Sequence, residues 1–157
     1  MKTARHQSAA ALAICLAAAF QITPAASRYC LAAELYLAGD SIMTKYAQNE
    51  WPQYGWGQAL ERFMKNPGRL HNFARSGWSA RRFRESGRWE KCIASALKPG
   101  DWVIVSFGHN DMNRRRNKPP KNDYSTVGEY KAFLRGFAAD VRAKGANIAV
   151  SDFSAQR

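Results

Sequence analysis

Three observations predict an α/β fold with a parallel sheet and helices on both of its faces. Short apolar runs alternate with stretches of helical spacing in the order β-α-β-α-β-α-β, which implies right-handed crossovers and two-sided helix cover. One run, Trp102-Val103-Ile104-Val105-Ser106-Phe107, is nearly all apolar, as strands buried on both faces of a parallel sheet are. Pro, Gly and Asn stand where the helical stretches must stop. Of the 157 residues, 46% are hydrophobic and 23% charged, which excludes a disordered or collagen-like chain and fits one domain.

Residues 34–38 are short and apolar and end at Gly39, a strand signature. Residues 56–65 put Trp56, Leu60, Phe63 and Met64 on one helical face and stop at Asn66-Pro67-Gly68. A second strand follows at 69–74. Around residues 90–97, Trp89, Cys92, Ile93, Ala96 and Leu97 keep the spacing of a buried helix face, closed by Lys98-Pro99-Gly100-Asp101. The third strand spans 102–107. Residues 110–123 read as a polar loop with Arg114-Arg115-Arg116 and Pro119-Pro120. Thr126-x-x-Glu129 is a capping box signature. Tyr130, Phe133, Leu134, Phe137, Ala138 and Val141 then keep helical spacing up to Gly145, and residues 146–150 form a fourth strand.

The first 26 residues read as a signal peptide. Lys2 and Arg5 precede an Ala/Leu-rich run at 8–20, followed by Pro24-Ala25-Ala26. That run is too short to span a bilayer, which needs about 20 apolar residues. The expectation is a secreted or periplasmic domain over 27–157, with no membrane partner. Cys15 leaves with the leader. The spacing puts Cys92 on a buried helix face, and a Cys30–Cys92 bridge is the alternative. No metal-ligand spacing occurs, so no metal is expected.

Ligands of open parallel sheets bind beyond the carboxyl ends of the strands. Three segments stand there: Gly39-Asp40-Ser41-Ile42, Asn72-Phe73-Ala74-Arg75-Ser76-Gly77 and Gly108-His109-Asn110-Asp111. A serine on a tight turn exposes its hydroxyl, and acyl transfer needs donors aimed at the developing oxyanion. The N–H groups of Ser41 and Gly77 and the Asn110 amide would supply them.

At these residues the chain resembles the SGNH (GDSL-like) hydrolase superfamily, in particular its rhamnogalacturonan-acetylesterase-like branch. The resemblance rests on Leu37-Ala38-Gly39-Asp40-Ser41-Ile42-Met43, Tyr54-Gly55-Trp56-Gly57, Asn72-Phe73-Ala74 through Ser79-Ala80-Arg81, and Phe107-Gly108-His109-Asn110-Asp111. It implies a three-layer, flavodoxin-like α/β/α sandwich. It also implies Ser41 as nucleophile, an oxyanion hole of Ser41, Gly77 and Asn110, support from Asp40 and Asp111, and no cofactor. The implied substrate is an acetylated plant-type polysaccharide, rhamnogalacturonan or pectin. Ser76 and Trp78 depart from the branch, which usually has Gly and Arg there.

The family's base comes from an Asp-x-x-His motif after a fifth strand. None of Asp40, Asp101, Asp111, Asp123, Asp140 and Asp152 has His three residues on, and the histidines are His6, His71 and His109. His6 lies in the leader. His71 and His109 each precede an Asn of the site, and extended neighbours point to opposite faces. After Val150 the residues Ser-Asp-Phe-Ser-Ala-Gln-Arg do not resemble the family's continuation. The chain is therefore expected to lack the last strand and helix, and to be inactive as written.

Lys and Arg number 24 against 12 Asp and Glu, a net charge of +12. Arg81, Arg82, Arg84, Arg88 and Arg114 to Arg116 are expected near the mouth of the cleft, either attracting a polyanion or forming a solvated face. No nucleic-acid motif accompanies the charge, so a nucleic-acid module is not expected. Trp51, Tyr54 and Trp56 fit a core role or sugar stacking. Besides the acetylesterase reading, two others are open: an SGNH esterase or lipase acting on lipid or small esters, and a non-catalytic basic remnant that binds anionic polymer.

Overall fold

A computed structural model gives the fold. It describes residues 33–48, 52–114, 117–118 and 121–151. The predicted leader, Cys30, Trp51, Arg115, Arg116 and Asp152 lie outside the described residues.

The elements are β1 (Leu35–Gly39), α1 (Trp56–Leu60), β2 (Leu70–Asn72), α2 (Ala80–Glu85), β3 (Trp102–Ser106), the hairpin strands β4 (Asn117–Lys118) and β5 (Lys121–Asn122), α3 (Val127–Ala143) and β6 (Asn147–Val150). The main sheet is parallel with strand order β2-β1-β3-β6. Leu35 stands opposite Leu70 on one side and Trp102 on the other, and Trp102 stands opposite Asn147. The chain winds outward from β1 to β2, then crosses back to β3. The switch point therefore lies between β1 and β3, where ligands of such sheets bind.

Alternation along the strands gives each face its own core. Tyr36, Ala38, Val103 and Val105 pack on one face against Phe83 of α2, Trp89, Ile93 and Phe137 and Val141 of α3. Trp89 and Phe137 meet with ring centroids 4.5 Å apart. On the other face Leu37, Leu35 and Ile104 pack with Met43 and with Trp56, Leu60 and Met64. Helices thus cover both faces, and the predicted three-layer α/β/α architecture holds.

Helix ends follow their local chemistry. Thr126 and Glu129 close the predicted capping box at α3. Gly145 adopts φ +69 just past the end of α3, a conformation that favours glycine. The helix α2 is absent from the sequence expectation. Only Ala80 and Phe83 of its six residues are buried, so it carries almost no apolar period. Its start is set instead by Ser79, whose hydroxyl accepts the Arg82 N–H at 3.1 Å.

Two predicted helices differ in their windings. α1 tightens after Leu60 into a 3-10 turn, Glu61–Phe63. The tighter pitch carries Phe63 outward, to 81% exposure. Around Glu90–Ala94 the helix widens, with Ser95 N–H donating to the Glu90 carbonyl. That one-residue expansion buries Ala94 in place of the expected Ala96, which is exposed. Cys92 is a free, half-buried thiol packed against the first core.

β6 forms an edge of the sheet with Asn147, Ala149 and Val150 exposed. An apolar cavity of about 380 Å³ lies beside it, lined by Leu35, Met64, Trp102, Ile104 and Ala149 among others. Among the described residues no helix is long and apolar enough to cross a membrane.

Candidate active site

Ser41 stands on the turn that follows β1. Backbone and hydroxyl contacts hold that turn: the N–H groups of Met43 and Thr44 and the Thr44 hydroxyl all donate to the Asp40 carbonyl, at 3.2, 3.1 and 2.8 Å. The buried Asp40 carboxylate accepts the Ile42 N–H at 3.0 Å. The loop after β3 brings His109 near that carboxylate. Burial raises the Asp40 carboxyl above its usual range, opposed by the Ile42 N–H, the charge of the nearby His109 ring and the His109 N–H.

The turn is packed so closely that glycine is required around it. A Cβ on Gly39 would lie 2.7 Å from the Ser106 carbonyl oxygen. A Cβ on Gly57 would lie 2.4 Å from the Met43 carbonyl oxygen. These contacts let the start of α1 close on the Ser41 turn, where Trp56 N–H donates to the Ile42 carbonyl at 2.8 Å. The Asn72 amide, at the end of β2, donates to the Met43 carbonyl at 2.8 Å and fixes the turn from the other side. Tyr46 donates its hydroxyl to the Ser41 carbonyl at 3.1 Å. No hydrogen bond to the Ser41 hydroxyl occurs among the described residues.

The loop after β2 carries Gly77 at φ +75. Asn110, from the loop after β3, is buried and donates its amide to the Trp78 carbonyl at 2.9 Å. The candidate oxyanion amide is thereby bonded to the residue next to Gly77. Asp111 is 1% exposed, and both of its carboxylate oxygens accept the Ala80 N–H at 3.1 Å at the start of α2. Burial pushes the Asp111 carboxyl up to about 6, against the pull of the Ala80 and Arg81 N–H groups and the Ser125 hydroxyl. Buried Asp123 completes this cluster. It accepts the Ser79 hydroxyl at 3.3 Å and sits 3.9 Å from the Arg82 guanidinium. Ser41, Gly77 and Asn110 thus all lie at the carboxyl edge of one parallel sheet, in segments cross-linked by hydrogen bonds.

Residues 37–155 match the model of the GDSL-like lipase/acylhydrolase family. The chain belongs to that family. Within it, the chain is 37% identical over 114 residues to the rhamnogalacturonan acetylesterase RhgT of Bacillus subtilis, a stretch covering 73% of this chain and 46% of that protein. It is 33% identical over 137 residues to a rhamnogalacturonan acetylesterase of Emericella nidulans, covering 77% and 52%. Among solved structures, the YxiM protein of Bacillus subtilis superposes with TM-score 0.65 at 32% identity, over 76% of this chain and 32% of that one. Axe2, an acetylxylan esterase of Geobacillus stearothermophilus, shares the fold with TM-score 0.53 at 24% identity, over 76% and 58%. The chain spans about half the length of the curated relatives it matches.

The GDSL-like assignment sharpens the remaining residues. His71 bonds through Nε2 to Glu34 Oε2 at 2.9 Å, before the start of β1 and at the opposite edge from Ser41. His109 is exposed and lies near the Asp40 carboxylate. Among the described residues, part of the expected cationic rim is paired internally. Arg81 pairs with Glu129 and Glu85, and Arg84 with Asp140 and Glu90. Trp56 packs in the second core and Tyr54 is 44% exposed. Asn72, Tyr46 and Asp123 were not singled out for roles by sequence reasoning. Asn72 stands in the quoted Asn-Phe-Ala stretch, whereas nothing in the spacing marks Tyr46 or Asp123.

Proposed function

We propose that this chain carries the nucleophile side of a secreted carbohydrate acetylesterase. Ser41 Oγ attacks the acetyl carbonyl carbon, and the carbonyl oxygen becomes an oxyanion facing the N–H groups of Ser41 and Gly77 and the Asn110 amide. Collapse breaks the bond to the sugar oxygen, which leaves with a proton, and water then releases acetate from the acyl-enzyme. The observation that carries this reading is the bond from the Asn110 amide to the Trp78 carbonyl, which couples two of the proposed donors at the edge where Ser41 stands. The names of the relatives support acetyl groups on a pectic polysaccharide as the substrate.

The hydroxyl proton of Ser41 needs an acceptor. The 157 residues contain no Asp-x-x-His, and among the described residues neither imidazole bonds to Ser41. The chain therefore turns over acetyl esters far more slowly than a complete triad would. The engagement of His71 by Glu34 also favours a second reading, a basic domain that binds anionic polymer without cleaving it.

A chimera tests the first reading. The part of RhgT that follows the matched stretch is fused after Val150, and acetate release from acetylated pectin is measured beside Ser41→Ala. Release that depends on Ser41 is the expected result. A folded chimera without activity overturns the esterase reading, and a preference for long-chain acyl esters replaces the carbohydrate substrate with a lipid one.

A further inference from the structure

We infer that Tyr46 is a positioning residue for the nucleophile: its hydroxyl holds one end of the peptide group that follows Ser41 and so fixes the direction of the Ser41 side chain. The inference deepens the esterase reading and rests on it for the identity of the nucleophile. Tyr46 stands five residues after Ser41, on the open stretch beyond the turn, and folds back onto it.

The Ser41 carbonyl and the Ile42 N–H are the two ends of one planar peptide group. Both ends are held. The Tyr46 hydroxyl donates to the carbonyl at 3.1 Å, and the Ile42 N–H donates to the Asp40 carboxylate at 3.0 Å. Rotation about the Ser41 Cα–C bond would break both bonds at once. The peptide group before Ser41 is held as well, because the Asp40 carbonyl accepts the Met43 and Thr44 N–H groups and the Thr44 hydroxyl. With both neighbours fixed, the Cα–Cβ bond of Ser41 has one direction, and Oγ chooses only among staggered rotamers. The Ser41 N–H, trans to the Asp40 carbonyl, is aimed by the same bonds. The nucleophile and one proposed oxyanion donor therefore take their orientation from one clamp.

Tyr46 links that clamp to the rest of the fold. Asp40, Met43 and Thr44 are held within or beside the turn itself. The Tyr46 N–H instead donates to Gln58 Oε1 at 3.2 Å, and Gln58 belongs to α1. A path of hydrogen bonds thus runs from α1 through Tyr46 to the Ser41 carbonyl. The Tyr46 ring has a separate use, as a wall of two cavities of about 420 and about 400 Å³. Phenylalanine keeps that wall and loses only the hydroxyl, so Tyr46→Phe separates the packing of the ring from the clamp.

Methylboronic acid and the full chain test this. Its boron has the shape of an acetyl carbonyl carbon. Ser41 Oγ adds to boron, the O–H bond breaks and its proton passes to the buffer, which leaves a tetrahedral boronate anion against the oxyanion donors without calling on a base in the protein. Boron NMR follows the adduct, and amide exchange follows the Ile42 N–H. The wild-type chain forms the adduct, and Ser41→Ala abolishes it. Tyr46→Phe weakens the adduct about fivefold, the worth of one neutral hydrogen bond. It speeds Ile42 exchange by about the same factor, while the amides of β3 keep their protection. An adduct equally tight in Tyr46→Phe overturns the inference, and so does Ile42 exchange at the wild-type rate. Lost protection throughout β3 would assign the effect to global stability and overturns it too. A wild-type chain without a Ser41-dependent adduct defeats the nucleophile reading and, with it, any role in positioning, even where Ile42 shows the clamp intact.

Discussion

At the amino edge of the sheet, Glu34 meets Arg69 at 3.1 Å and His71 at 2.9 Å, all three side chains being about one-third exposed. At the carboxyl edge, Asp40, Asp111 and Asp123 are almost fully buried and take their hydrogen bonds from backbone N–H groups and hydroxyls. The amino edge keeps its charge partly in water and needs little support. There the buried Asp101 accepts the N–H groups of Glu34 and Lys98 and pins the starts of β1 and β3. The carboxyl edge desolvates its acids, at a cost visible in the raised carboxyls of Asp40 and Asp111. What that cost secures is position: Asp111 joins the loop that carries Asn110 to the start of α2, and Asp123 holds Ser79 at the same helix start.

The largest effect that would break this contrast is at Asp111. Asp111→Ala leaves the buried Ala80 N–H and Ser125 hydroxyl without their acceptor and is expected to destabilise by about 4 kcal/mol, measured by chemical denaturation. A loss no greater than that of an exposed ion pair would remove the distinction between the edges.

A smaller effect comes from pH. The Asp111 carboxyl is raised from 3.8 to about 6, so between those values the folded state holds more protons than the unfolded one. Its contribution to stability is therefore full below about 3.8 and is lost as pH rises through about 6. Asp111→Asn keeps an acceptor but never ionises. The stability of Asp111→Asn relative to wild type should rise by about 3 kcal/mol between pH 3.5 and 7. A difference that stays flat, or falls, contradicts the desolvation account.

The smallest effect belongs to the amino edge. Glu34→Gln loses the one-third-exposed ion pair with Arg69 and alters the bond to His71, and is expected to cost about 0.5 kcal/mol, since solvent and salt already weaken such pairs. Thermal melts at low and high salt check it. A cost near that of Asp111→Ala would show that the amino edge, too, depends on buried charge.

The difference between the edges also explains what the sequence made legible. Strands with apolar runs, the capping box at Thr126 and the segments around Ser41, Gly77 and Asn110 all have local signatures, and each stands where it was expected. α2 was not legible because its burial rests on two residues, Ala80 and Phe83. The winding changes at Glu61–Phe63 and Glu90–Ala94 follow from packing across the sheet and leave no trace in spacing. Long-range partners were illegible for the same reason. Asn110 is 32 residues from the carbonyl it bonds, and Ser79 is 44 from Asp123. Arg81 and Arg84 looked like free charge because the acids that pair with them, Glu129 and Asp140, lie on a helix distant in sequence.

Steady-state hydrolysis of an activated acetyl ester by the purified chain, beside Ser41→Ala, tests most directly the claim that this edge presents a nucleophile and oxyanion donors without a base. The account predicts rates for the two proteins within about tenfold of one another, since only donors and binding contribute when the proton has no acceptor. Turnover that is several orders of magnitude faster in the wild-type chain, and lost in Ser41→Ala, would contradict it and place a working base within these 157 residues.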